Sequence, residues 1–236
     1  MANKPIHVTS EIGNLQRVVL HRPGRELANM KAAEFEKCWI HDAFYLEYAQ
    51  KEHDVFAGIL RDAGAEVLYM EELLAEAMDV NPAARAAFLD EYMVQAPIPD
   101  PALVPLVREK LDAIENNREL VDKALAGMRV NELDLATGPL TLSRLEGDGL
   151  AFDDFVVFSM PSSYFSRDPI ASIGTGVALH RMYHNQRNRE VPFYKTFLTY
   201  HPDFAGTPFW YDNHSEAHIE GGDVLNINET SLAVGI

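Results

Sequence analysis

The chain has 236 residues and sets 20 Lys+Arg against 36 Asp+Glu, a formal net charge of −16. Such an acidic balance disfavours a nucleic-acid binder or a protein docked on anionic lipid, since both need a basic face. The 47% apolar and 24% charged fractions are those of a globular rather than a disordered chain, and the single cysteine, Cys38, excludes an internal disulfide or a multi-cysteine metal site.

Residues 15–21 (LQRVVLH) read as a strand, stopped by the turn signal Arg22-Pro23-Gly24. Phe44, Tyr48, Val55, Phe56, Ile59 and Leu60 then share one broad face at helical spacing, and Gly64 is placed to end that helix. Residues 67–70 (VLYM) read as a short buried strand, so the opening is a strand–helix–strand module of α/β type.

From residue 71 to 145 the chain is rich in good helix formers, with Leu103, Leu106, Val107, Leu111 and Ile114 stepping by three and four. Leu120, Val121, Ala124, Leu125 and Met128 repeat the pattern, and the prolines of residues 97–101 interrupt it. This predicts a helical bundle, residues 71–145, inserted into an α/β domain made of 1–70 and 146–236 and standing apart from its sheets. Strand-like sequence returns at 155–158, 176–179, 196–199, 223–227 and 232–236. The last of these is apolar and stops without a polar tail, which suggests a piece of something longer. No apolar run approaches the roughly 20 residues of a membrane span, and residues 1–7 lack the apolar core of a signal peptide. A soluble cytoplasmic protein is expected.

Gly174-Thr175-Gly176 lacks the third glycine of a dinucleotide loop and precedes a strand rather than a helix, so no nucleotide site is expected there. His214 and His218, with Glu216 between them, have a zinc spacing if helical, but their surroundings read as a solvated loop. Cys38 sits beside Trp39 and Ile40 and reads as a buried structural thiol, since a reactive one wants a positive, partly open environment. Two segments stand out. Residues 161–169 (PSSYFSRDP) put Arg167 and Asp168 at a strand end, and residues 218–224 (HIEGGDV) put Glu220 and Asp223 around a Gly-Gly that lets backbone approach closely. Taken singly, these are a surface ion pair and a turn with solvated acids. Together they point to acids facing a cationic ligand, for which guanidinium is the natural planar partner.

Residues 7–15 (HVTSEIGNL), 21–26 (HRPGRE), 50–54 (QKEHD), 118–121 (RELV), 164–169 (YFSRDP), 187–190 (RNRE) and 219–223 (IEGGD) carry a resemblance to the arginine deiminases of the guanidino-group-modifying superfamily. The resemblance implies an α/β fold: part of a five-module propeller of pentein type, with a helical insertion. It implies hydrolysis of L-arginine to L-citrulline and ammonia without metal or organic cofactor. In that chemistry a cysteine thiolate attacks the guanidinium carbon and a histidine moves protons. By position, Asp168 would bind the guanidinium nitrogens and Glu220 would orient the catalytic histidine. Arg187 would pair with the substrate α-carboxylate, and Phe165 would line the channel. Asp168 and Glu220 should then share one concave face with Arg187 at its rim, and without a cation between them they would repel. The bland alternative turns the acids apart and pairs Arg187 with a local acid such as Glu190.

The family's nucleophile and catalytic histidine come from a C-terminal part not matched here, and Cys38 fits no part of the nucleophile motif. The chain is therefore expected to be a truncated product, inactive alone; a homo-oligomer is compatible with it. Ser162 stands where the family usually has asparagine, and Trp39 and His41 where leucine and aspartate are usual. The alternatives are a non-catalytic arginine-binding or regulatory remnant, and a related guanidino-modifying enzyme with another substrate. The helical insertion disfavours the latter.

Overall fold

In the structure, a computed structural model that describes residues 6–35, 44–133 and 150–235, strand β1 (Arg17–Leu20) lies parallel to β2 (Glu66–Tyr69), with Arg17 opposite Glu66 and Leu20 opposite Tyr69. Parallel strands need a crossover, and helix α2 (Leu46–Asp62) lies within it. After β1 comes the short α1 (Arg25–Ala28). Arg22 grips Asp54 of α2 through two hydrogen bonds of 2.7 and 2.8 Å, and Gln50 donates to the Pro23 carbonyl at 2.8 Å. The turn after β1 is thereby tied to the middle of α2. Gly64, at φ 93°, ends α2 as expected, a backbone angle that a side chain resists. Cys38, Trp39 and His41 lie outside the described residues, as do residues 134–149, which include the end of the expected insertion, 134–145.

Four helices follow: α3 (Met70–Val80), α4 (Pro82–Gln95), α5 (Val104–Asp112) and α6 (Asn117–Ala126). Their starts are written locally. The Asn81 side chain accepts from the Ala83 N–H and Asn116 from the Glu119 N–H, while Pro82 supplies the fixed φ of a first helical turn. Gly127 closes α6 at φ 76°, where a Cβ would sit 2.6 Å from the backbone of Val157 and Ser159.

The remaining strands form small sheets. β3 (Met128–Arg129) pairs antiparallel with β4 (Phe155–Val157). β5 (Ile170–Ile173) pairs antiparallel with β6 (Gly176–Leu179), and β7 (Phe209–Tyr211) joins β6 in parallel. β8 (Val224–Asn228) and β9 (Ser231–Val234) make a last antiparallel pair. The architecture is mixed α/β, with helices and small sheets and no closed barrel among the described residues. No helix among them is long and apolar enough to cross a membrane. Gly174-Thr175 is the turn between β5 and β6, bound to Val8 on the N-terminal segment.

Two expectations need correction. Residues 196–199, expected as a strand, lie inside helix α7 (Val191–Tyr200). Their threonines and aromatics have strand propensity, but Pro192 suits a helix start, and Phe193 and Phe197 are spaced four apart on one buried face. Packing decides the matter: Phe88 of α4 meets Phe193 edge-on at 4.8 Å, and α7 packs on both α3 and α4. The helices of the insertion are therefore not set apart, because Leu74, Phe88, Tyr92 and Leu120 share one continuous core with Val177, Phe193 and Phe197. The stripe of Tyr48, Val55, Phe56 and Ile59 that shares one face of α2 is at least half exposed, and Ala57 is that helix's one buried residue. Helical spacing tells which side chains share a face, not what covers it.

Where β1 ends, His21 is almost wholly enclosed, its Nε2 3.1 Å from Glu26 of α1 and its Nδ1 3.0 Å from Glu71 of α3. Arg118 of α6 stands 3.8 Å beyond, on the far oxygen of Glu71. Burial alone would lower the imidazole pKa, but the two carboxylates outweigh it and raise it from 6.5 to about 10. The raised value means that the stabilisation is complete below pH 6.5 and is lost as pH rises through about 10. Urea unfolding should show a falling midpoint across that window. In His21→Gln the fall should flatten, from a start about 3–5 kcal/mol less stable, since two buried acids lose their cation. An unchanged slope in the variant would place the titration elsewhere.

Candidate functional site

The segment between β4 and β5 turns twice before it becomes a strand. A short 3-10 turn covers Pro161–Tyr164; Phe165 N–H then bonds the Ser162 carbonyl, and Asp168 N–H bonds the Phe165 carbonyl. This brings Arg167 and Asp168 to the start of β5 with their side chains in different surroundings. Arg167 reaches across to the other motif, donating to the carbonyls of Gly221 at 3.1 Å and Val224 at 2.7 Å. It also holds Glu11 through two bonds of 2.9 Å, and Glu11 accepts in turn from the Asn226 N–H at 2.8 Å. The Arg167 guanidinium, helped by the Asn226 bonds, keeps the Glu11 carboxyl down at about 2. One arginine thus joins the N-terminal segment, the start of β5 and the start of β8.

The backbone contact is closer still. Gly221 N–H bonds the Asp168 carbonyl at 3.2 Å, and a Cβ on Gly221 would lie 2.1 Å from the Arg167 carbonyl oxygen. Only a residue without a side chain permits that approach. The same Asp168 carbonyl accepts from His180 Nδ1 at 2.7 Å. His180 is fully buried at the end of β6; burial lowers its pKa against the pull of that hydrogen bond, and its Nε2 has no hydrogen-bond partner among the described residues.

The side chains of the two motifs converge on one guanidinium. Arg187, on the 3-10 segment Asn185–Glu190, gives Nε and Nη2 to Glu190 at 2.8 and 2.9 Å. Its Nη1 donates to Asp168 Oδ2 at 2.9 Å and stands 4.0 Å from Glu220 Oε2. The other oxygen of Glu220 accepts from the Tyr183 N–H at 2.9 Å. Burial opposes the charge on Arg187, but Glu190 and Asp168 outweigh it and hold the guanidinium above its usual range. Burial lifts the Glu190 carboxyl, and Arg187 pulls it part of the way back.

Asp168, Glu220 and Arg187 are therefore brought together, and the acids are not left to repel, because a cation lies between them. Arg187 is not at a rim: its side chain is 13% exposed, against 27% for Asp168 and 29% for Glu220. The pairing with Glu190 that the bland alternative proposed exists as well, alongside the shared site rather than instead of it. Phe165 is half exposed, and its ring lies tilted at 40° against that of Tyr164 with centroids 4.1 Å apart. His214 turns to Glu91 at 2.8 Å and His218 to the Met182 carbonyl at 3.0 Å, so the two do not converge.

Three participants were not expected from the sequence: Glu11, His180 and, as a site residue, Glu190. Glu190 had a local signal in its place three residues after Arg187, and Glu11 lies within the quoted segment 7–15. A large cavity of about 1340 Å³ lies elsewhere, lined by Arg22, Glu26, Asp54, Glu71, Arg118 and Arg129 among others and by none of the three site residues.

The family model for arginine deiminase matches residues 38–236. An arginine deiminase of Streptococcus uberis and one of Streptococcus pyogenes are each 45% identical over 238 residues. Each alignment covers 100% of this chain and 57% of the relative, so the chain spans little more than half the length of the curated relatives it matches.

The close backbone contact gives a direct test. Gly221→Ala should push the Glu220 turn away from Asp168 and lower stability by about 1–3 kcal/mol, the scale of an overpacked buried site. Chemical denaturation reads the loss; a variant as stable as the parent would show that the approach is not tight.

Proposed function

The chain belongs to the arginine deiminase family, and we propose that it supplies the guanidinium-binding part of an enzyme that hydrolyses L-arginine to L-citrulline and ammonia. The observation that carries this reading is the shared guanidinium: Asp168 and Glu220, from opposite ends of the β5–β8 region, both turn their carboxylates to the Arg187 head group. A cluster of three acids around one cation keeps an excess of negative charge, which suits a second planar cation.

In the reaction, the acids hold the substrate guanidinium by its N–H groups and fix its plane, so that a thiolate can approach the carbon from above it. The adduct expels ammonia, and water then releases citrulline from the thiouronium. Glu220 would orient the histidine that moves the protons, and Phe165 would line the channel through which the head group enters. The resemblance assigns Arg187 to the α-carboxylate, a role that requires its release from acids to which its whole fork is committed here. We read the small sheets β3–β4, β5–β7 and β8–β9 as modules of a pentein-type propeller, into which the helices α3–α6 are inserted, and the enzyme as cytoplasmic.

Calorimetric titration of the 236-residue chain tests the assignment. L-Arginine should bind and L-citrulline, whose ureido group carries no charge, should not; Asp168→Asn should weaken arginine binding at least about tenfold, as expected when a charged hydrogen-bond partner is removed. Equal binding of the two amino acids would remove the basis for the reading.

A second outcome concerns chemistry. The one cysteine is Cys38, and it lies outside the family's nucleophile motif, so the chain alone should release no citrulline from arginine. Turnover that vanishes in Cys38→Ser would identify a different nucleophile from the one proposed.

A further inference from the structure

We propose that the outer face of α2 is a self-association surface, on which a second copy of this chain lays its own α2 parallel and in register. The proposal is independent of the guanidinium site.

At about 3.6 residues per turn, Tyr48, Val55 and Ile59 stand on the side of α2 opposite Ala57, the one residue of the helix that is buried. All three are 62–64% exposed. Phe56 borders the same stripe, and Phe44 and Tyr45, just before the helix, continue it; they too are exposed. Single exposed apolar side chains are ordinary, but a contiguous stripe of them marks a contact surface. Taking about 150–250 Å² for a whole aromatic side chain, the six leave about 600 Å² uncovered. A stable interface takes about 800 Å² from each partner, so the stripe supplies most of one side and its polar flanks the rest.

Charge decides what the stripe takes. Lys51 and Glu52 flank it on opposite sides, both exposed and neither in an ion pair among the described residues. Lys51 lies along the stripe, its Nζ 5.3 Å from the centre of the Tyr48 ring. A two-fold axis running along the helix sets each Lys51 beside Glu52 of the second copy, so one symmetry operation makes two ion pairs. Tyr48, Val55 and Ile59 then each meet their own counterpart, as in the seam of a parallel helix pair. An antiparallel two-fold turns the Lys51 flank of one helix to the Lys51 flank of the other and sets like charges together. The parallel arrangement is therefore the one in which both the apolar surface and the charges of α2 are satisfied by a copy of themselves.

Sedimentation equilibrium of the 236-residue chain tests this at about 0.15 M salt, where repulsion between two acidic chains is screened beyond about 8 Å. A reversible monomer–dimer equilibrium with a dissociation constant in the micromolar range is expected. I59E, which sets two acids face to face in the seam, should weaken it at least about a hundredfold. K51E should weaken it about tenfold, because both ion pairs are replaced by facing acids, and the exchange K51E/E52K should restore it. A chain that is monomeric at about 100 µM overturns the proposal and leaves the stripe to a partner of another kind. A dimer that I59E leaves unchanged also overturns it, since the copies then meet elsewhere. So does a dimer that K51E leaves unchanged or that K51E/E52K fails to restore, because the helices then do not run parallel. Circular dichroism of each variant checks that the fold is kept. If I59E does not fold, V55S, which removes apolar contact from the seam without adding charge, carries the same comparison with a loss of at least about tenfold.

Discussion

A charge withdrawn from water has to be matched by an opposite charge at hydrogen-bond distance, and this constraint organises both regions of the fold that carry the family's motifs. His21 is enclosed between Glu26 and Glu71, and Arg187 between Glu190 and Asp168. In each case the partners come from separate elements, so satisfying the charge also fixes where the elements sit. His21 joins the end of β1 to α1 and α3. Arg187 joins the 3-10 segment before α7 to the start of β5. The chain carries a net charge of −16, and His21 and Arg187 are each met by two carboxylates at hydrogen-bond distance.

The second organising contact is partly exposed and works by number rather than burial. Arg167 makes bonds to Glu11, to Gly221 and to Val224, and so closes the N-terminal segment over the β5 and β8 starts. A solitary surface ion pair contributes little, but a planar fork that is bidentate on one acid and also caps two carbonyls has its geometry set on every side. The result positions backbone rather than side chain: the Asp168 carbonyl receives Gly221 N–H and His180 Nδ1, and the carboxylate is left free to face the guanidinium. Loops with no regular structure of their own acquire a defined shape this way, as functional loops on a rigid scaffold commonly do.

Much of this was legible in the residues. The helix α2 and its Gly64 stop and a run of helices after residue 70 follow from spacing and turn chemistry, and the motifs single out Asp168, Glu220 and Arg187. Other features were not. Residues 196–199 have the composition of a strand, yet they are helical because Phe193 and Phe197 find Phe88 and the faces of α3 and α4. The apolar stripe on α2 has the pattern of a buried face, yet it is exposed. Glu11 lies in one of the quoted motifs and His180 in none, and nothing near either in the chain shows that Arg167 or the Asp168 carbonyl will arrive.

The sequence by itself therefore determined many of the elements, the family and the residues worth watching. These depend on backbone preferences, helical or alternating spacing and short motifs, all of which act over a few neighbouring residues. Only the tertiary structure decided which acids surround Arg187, that its guanidinium sits on Asp168 instead of facing outward, and which apolar faces are covered. Those outcomes depend on where elements far apart in the chain meet, and a hydrogen bond or a burial requires atoms within a few ångströms of each other, a distance that no spacing along the chain encodes.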